Sequence, residues 1–177
     1  ATAGQTVPWL RDVSVFGVRS GDGPQGVPIN KSAVAAGVVD RAMSASWALT
    51  ITYRKQRLQL TRSELAAMPQ RTRSLPISCV EGWSAGAVWT GVPIADLLAR
   101  VGAPASSEVF VSSLERSGAY STSTLPPQFA ADSDTLLALQ LNGAPLEVDH
   151  GFPCRIIAPA RPGVLQTKWV ERLEVAG

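Results

Sequence analysis

Cys79 and Glu81, two residues apart in SCVEGWS, place a thiol beside a carboxylate, a pairing that suits a thiolate acting as nucleophile or as metal ligand. The chain's one histidine, His150, stands in DHGFPCR (149–155) with Asp149, the second cysteine Cys154, and Arg155. Two further stretches gather polar groups: PINKSAV over 28–34 and RPGVLQTKW over 161–169. Several chemistries are open to the cysteines. Cys79 with His150 would make a thiolate–imidazole nucleophile, although no family-type signature surrounds the cysteine. Cys79, Cys154 and His150 are zinc-ligand types that lack the paired spacing of structural zinc sites. A Cys79–Cys154 disulfide is a third option, and Cys154 as a packed core thiol ahead of RIIAP is a fourth. In the last stretch, Gly163 frees the backbone ahead of Gln166, Thr167 and Lys168. Exposed amides, a hydroxyl and an ammonium together suit a phosphate or other oxyanion, and the plain alternative is a surface loop with a solvated lysine.

The elements that must position these stretches are short. Alternation from Trp47 to Tyr53, resumed at Leu58 and Leu60, predicts a hairpin turning at 54–56. Thr61 and Glu64 form a TxxE capping signature that opens a helix of one or two turns, stopped by Pro69. Pro93 is expected in the first turn of PIADLLARVG, where Ile94, Leu97, Leu98 and Val101 make a helical stripe ended by Gly102. EVFVSSL (108–114), CRIIAP (154–159) and WVERLEV (169–175) read as strands. Asn142-Gly143 centres a hairpin in LLALQLNGAPLEV. Residues 1–27 are irregular, with a strand expected over Val13–Val18. Thirteen prolines and fifteen glycines keep every element short. The expected architecture is one α+β domain over 1–177, mixed β-sheet with short helices and long loops.

Composition narrows the function classes. With 45% hydrophobic residues in 177, the chain has enough apolar material for one core. Its formal charge is +2, and thirteen of its sixteen basic residues are scattered arginines, so neither a nucleic-acid stripe nor a polybasic membrane tail is present. No apolar run approaches the ~20 residues of a membrane-spanning helix. The chain opens Ala-Thr-Ala without a signal segment, which leads to the expectation of a processed piece lacking its native N-terminus.

LTRSELAAMP (60–69), LPISCVEGWSAGAVWTGVPIADLL (75–98) and LNGAPLEVDHGFPCRIIAPARPGVLQTKWVERLEV (141–175) together resemble the sulfite-oxidase-type molybdopterin-binding oxidoreductases. The likeness runs from about Pro28 to Val175 and is greatest toward the bacterial methionine-sulfoxide reductase branch. It implies the sulfite-oxidase-type fold and a molybdenum–molybdopterin cofactor. Cys79 falls on the family's molybdenum-ligating cysteine, a role that suits a soft thiolate. Asn30 falls on a pterin-contacting asparagine, with Ala33 and Val34 at adjoining contacts, and Ser113 on a pterin-contacting hydroxyl. His150 and Arg155 match a pair that touches pterin and phosphate, His150 standing where the reductase branch has asparagine. Gln166, Thr167 and Lys168 match the phosphate-binding turn, and Trp83 and Trp89 would wall the cofactor.

Glu81 matches an acidic residue close to the metal in the reductase branch; its alternative role is capping nearby backbone amides. A carboxylate there disfavours sulfite, and no counterpart of the arginine-rich sulfite pocket is found. The resemblance thus implies oxygen-atom transfer on a small sulfoxide or similar S/N-oxide, catalysed with Cys79 and Glu81. The alternatives are sulfite oxidation and a cofactor-free binding module. The chain has no CxxCH haem motif and no Fe–S cysteine set, so the implied electron partner is external: a membrane haem or quinone subunit, or a membrane region absent from this chain. An extracytoplasmic, periplasmic-side location goes with that partner.

Overall fold

The computed structural model describes residues 23–75, 77–78, 84–85, 87–159, 161–162 and 165–177, so the strand expected over Val13–Val18 lies outside them. The alternating segment forms the expected hairpin of β1 (Ala48–Tyr53) and β2 (Gln56–Thr61), turning at Arg54 with φ 52°. Leu49, Ile51 and Tyr53 face the core and the residues between them face outward, as the period of two requires. The C-terminal strand β12 (Val170–Val175) lies parallel to β1 and antiparallel to β7 (Val109–Ser113), which pairs with β8 (Thr122–Leu125). This gives a five-stranded sheet in the order β2-β1-β12-β7-β8.

A second sheet runs β10-β9-β6-β3, built from β3 (Arg71–Ser74), β6 (Val88–Pro93), β9 (Leu136–Leu141) and β10 (Ala144–Pro145), with β11 (Arg155–Ile157) also on β9. β9 is buried along almost its whole length, which is why it reads as a continuous apolar run. Asn142 (φ 50°) and Gly143 (φ 82°) join β9 to β10 with both turn residues left-handed, as a two-residue hairpin loop demands. At the bulge between Thr90 and Gly91 the two strands approach so closely that a Cβ on Gly91 would lie 2.1 Å from the Leu137 carbonyl oxygen. A two-stranded ribbon pairs β4 (Ile77–Ser78) with β5 (Ser84–Ala85). Cys79 and Glu81 lie between these strands in sequence and outside the described residues.

The helices are α1 (Ala33–Ala36), α2 (Val39–Ala42), α3 (Arg62–Ala67), α4 (Ile94–Arg100) and α5 (Pro127–Ala131). The capping box before α3 is complete: Thr61 Oγ1 accepts from Glu64 N at 3.1 Å and Glu64 Oε2 from Thr61 N at 2.7 Å. Pro93 ends β6 and serves as the N-cap of α4 instead of entering its first turn. The main core joins Leu49 and Ile51, Val109 and Val111, Leu137 and Leu139, and Leu97 and Leu98.

Cys154 belongs to this core, fully buried, with its Sγ donating to Val170 O at 3.5 Å. It is a free thiol, and burial raises its pKa. These surroundings give it the role of a core-packing thiol; Cys79, its partner in the zinc and disulfide options, lies outside the described residues. Among the described residues no three His, Cys, Asp or Glu side chains gather to hold a metal ion, and no helix is long and apolar enough to cross a membrane.

Candidate functional site

Three segments converge beside the C-terminal end of β7. The 3-10 turn Val148–His150 leads through Gly151 into β11, the 165–169 segment leads into β12, and residues 30–33 lie against both. Gly151 (φ 115°) permits the approach, because a Cβ there would sit 3.0 Å from Arg155 Cβ and 3.2 Å from Lys168 Cβ. The result is a narrow cleft of about 70 Å3 into which Asn30, Arg155, Gln166, Thr167 and Lys168 open, five of the residues singled out from the sequence.

Arg155 is 4% exposed. Its Nη1 donates to His150 O at 3.2 Å and its Nη2 to Gln166 O at 3.1 Å, while Nε is buried with no partner among the described residues. Burial lowers its pKa to about 9. The guanidinium lies 5.1 Å above the Trp89 ring. Trp89 is fully buried, so instead of walling an open site it supports Arg155 from beneath.

The Lys168 ammonium donates to Asp149 O at 2.8 Å and to Lys31 O, which leaves one of its three N–H groups over among the described residues. Burial, with repulsion from Arg155, lowers its pKa from 10.5 to about 7. No carboxylate forms an ion pair with either cation among the described residues. A buried and a half-buried positive charge, with unused donors and no counter-ion among the described residues, form a cradle for an anion.

The other expected residues support this cradle from behind. Gln166 Oε1 accepts from Ala158 N at 3.1 Å and its Nε2 donates to Arg161 O at 2.9 Å, which pins the turn. Thr167 Oγ1 is 2.7 Å from Ser123 Oγ. Ser113 Oγ donates to Lys168 O at 2.8 Å and accepts from Glu115 N at 3.0 Å, so its hydroxyl holds the backbone that carries the lysine.

His150 Nε2 lies 2.6 Å from Pro24 O, which makes Nε2 the protonated nitrogen and ties the 23–27 segment to the site. Burial, opposed by that hydrogen bond and helped by Arg155 and Lys168, lowers its pKa to about 4, so the ring is neutral. Neither Ser113 nor His150 opens into the cleft. The Ala33 N–H is taken by Asp149 Oδ1 at 2.8 Å, and the Val34 side chain is 79% exposed.

Sequence reasoning missed Glu115, which is 7% exposed, lines the cleft and forms an ion pair with Lys31. Nothing in VSSLER marks it. Only the pairing of β7 with β12 and the path of residues 30–33 bring its carboxylate to the mouth. Gly118, Ala119 and Tyr120, from the loop joining β7 to β8, complete that mouth.

These residues fit the phosphate of a pterin cofactor: among the described residues they offer a buried arginine with an orphaned Nε and a half-buried lysine with an N–H to give, and no carboxylate is committed to either. The family model "Oxidoreductase molybdopterin binding domain" matches residues 36–177. The chain is 37% identical to sulfite oxidase of Arabidopsis thaliana over 112 residues, 53% of this chain and 28% of that protein. It is 30% identical to mitochondrial sulfite oxidase of Homo sapiens over 145 residues, 75% of this chain and 27% of that protein. It is 29% identical to the NADH nitrate reductase of Ulva prolifera over 199 residues, 95% of this chain and 21% of that protein. Among solved structures, the sulfane dehydrogenase SoxCD of Paracoccus pantotrophus superposes with a TM-score of 0.65 at 25% identity, covering 76% of this chain and 40% of that one. The chain thus spans between a fifth and three tenths of the length of these curated relatives. It belongs to the oxidoreductase molybdopterin-binding domain family, the sulfite-oxidase-type molybdenum–molybdopterin oxidoreductases.

Proposed function

We propose that this chain is the cofactor-holding part of an oxidoreductase that transfers an oxygen atom to or from a sulfoxide or similar S/N-oxide. The observation that carries the cofactor half of this reading is the pair Arg155 and Lys168, one buried and one half-buried cation with no ion-pair partner among the described residues, which an unpaired cleft could hold only at a cost and which a phosphate would complete. Cys79 is the thiolate ligand for molybdenum, and Gln166 and Thr167 hold the turn that aims Lys168. When bound, the cofactor supplies the two-electron oxygen-atom exchange.

The protein's own part is to bind, orient and screen. Arg155 and Lys168 hold the phosphate, Asn30 lines the same cleft, and Glu81, two residues from Cys79, is positioned in sequence to hold or pass a proton. A neutral oxide is favoured over a dianion by the charge count at the mouth. Lys31, the remaining cation lining the cleft among the described residues, is neutralised by Glu115. A specific observation keeps sulfite oxidation as the second reading, because two of the relatives matched here are named sulfite oxidases. Electrons come from an external redox protein, on the extracytoplasmic side.

The experiment is metal analysis of protein made in a molybdopterin-synthesising host, with turnover of methionine sulfoxide by reduced viologen set against sulfite-dependent ferricyanide reduction. Near-stoichiometric molybdenum, its loss or loss of turnover in Cys79→Ser, and sulfoxide turnover are expected. Wild-type protein from such a host with neither metal nor pterin would refute the cofactor reading. Sulfite turnover alone would replace the sulfoxide reading with the second one.

A further inference from the structure

A second cleft, of about 400 Å3, opens on the other side of the junction between β7 and β12. Leu114, Glu115 and Arg116 alternate between the two clefts, Glu115 facing the phosphate cradle and the other two the second cleft; on the neighbouring segment Trp169 lines the cradle, and past the register shift between Val170 and Arg172 both Glu171 and Arg172 line the second cleft. Arg41 from α2, Arg57 from β2, Arg116 from the loop after β7 and Arg172 from β12 surround it, with Trp47 also in the lining. The sheet register builds this cluster, since Thr50 pairs with Arg172 on one side of β1 and Thr52 pairs with Arg57 on the other.

Glu171 is the one carboxylate lining the cleft, and it is committed to Arg116 at 2.6 Å. Among the described residues, Arg41, Arg57 and Arg172 form no ion pair. Glu174, two residues along β12 from Arg172 and on the same sheet face, lies outside the lining. Three unpaired positive charges thus meet at one cleft in a chain whose whole formal charge is +2. Like charges so gathered repel one another, and an opposing surface relieves that repulsion.

Arg57, Arg116 and Arg172 are exposed, which does not make an enclosed small-ion site. Arginine rimming an indole is instead the composition of a protein-binding surface. The Trp47 Nε1–H is also without an acceptor among the described residues. The cluster is compact and has no continuation into the long basic stripe that nucleic acid requires.

We propose that this arginine cleft is the docking surface for a carboxylate-rich protein, and that its place back to back with the phosphate cradle makes that protein the electron-transfer partner. This rests on the cofactor reading above. Complementary charge would steer the partner to the face that backs onto the phosphate cradle and make association sensitive to salt.

The test uses cofactor-loaded protein and a fluorescein-labelled decaglutamate peptide, with binding read by anisotropy at low salt and at ~0.2 M salt. The expected result is salt-sensitive binding that the double variant Arg57→Glu/Arg172→Glu weakens ~tenfold or more. That variant should keep its molybdenum content and viologen-driven turnover. Equal peptide binding by wild type and variant overturns the proposal. So does displacement of the peptide by inorganic sulfate beyond what chloride of equal ionic strength achieves, which would mark a small-anion site. Binding of phosphatidylglycerol vesicles in place of the peptide would assign the face to a membrane and overturn it too. Wild-type protein that binds the peptide as expected yet shows no viologen turnover would refute the catalytic reading and leave the docking surface standing.

Discussion

Lys168 gives the sharpest test of the anion cradle, because its burial couples protonation to stability in a calculable way. The folded, anion-free chain holds its ammonium with a pKa of about 7, against 10.5 for the ordinary group, chiefly through burial and then through Arg155. Between these limits the unfolded chain binds more protons, so stability falls as pH is lowered from 10.5 toward 7 and is fully present only above that window. The whole penalty is about 5 kcal/mol at ~1.4 kcal/mol per tenfold, and between about pH 9 and pH 7 the loss comes to about 2 kcal/mol. Lys168→Met keeps the length and removes the charge. It also removes the donations to Lys31 O and Asp149 O, so the comparison is of pH slopes and not of absolute stabilities. Urea unfolding of wild type and Lys168→Met, both made in a host without molybdopterin synthesis, would be followed at the two pH values. Wild type should lose about 2 kcal/mol on going down, and the variant should lose almost none. Saturating inorganic phosphate should flatten the wild-type slope by supplying the missing counter-charge. Equal pH slopes in the two proteins would refute the argument that Lys168 is a desolvated cation awaiting an anion.

His150, neutral in the fold with a pKa near 4 against 6.5, contributes stability that is present above pH 6.5 and lost as pH falls toward 4. The full loss is about 3 kcal/mol. His150→Asn, which preserves a donor toward Pro24 O, should flatten thermal midpoints across that window, and unchanged acid sensitivity would count against the assignment. Gly151→Ala must place a methyl 3.0 Å from Arg155 Cβ at φ 115°, so it should cost ~1–3 kcal/mol and also lower molybdenum content by displacing both cations. A variant with the wild-type midpoint and metal content would contradict that packing.

The hairpin of β1 and β2, the capping box of α3, the Asn142-Gly143 turn and the strands β7, β11 and β12 were legible because each depends on near neighbours in sequence: alternation, a cap, a turn. β6 was not, since the sequence assigns Pro93 to the helix that follows and VWTGVP shows no strict alternation. Only its place between β3 and β9, where Gly91 lets two backbones touch, makes VWTGVP a strand. β8 and the polar β3 were missed for a related reason, because both are weakly apolar and gain strand structure from the partner they pair with.

Residue types and spacing supplied one cysteine with a carboxylate, one glycine-flanked turn ending in lysine, and an arginine five residues after the histidine, and their chemistry stayed open until the three stretches were set against the family they resemble. That is enough to name the family and to find the five residues that open into the cradle. What tertiary structure decided is which polar atoms remain unused. Ser113 and His150 are absorbed by Lys168 O and Pro24 O, whereas Arg155 Nε and one Lys168 N–H are left over among the described residues. Glu115 and the arginine cleft likewise exist only where β12 lies between β1 and β7. A hydrogen bond and an ion pair are short-range, and which groups come within that range is set by strand pairing between residues more than a hundred positions apart.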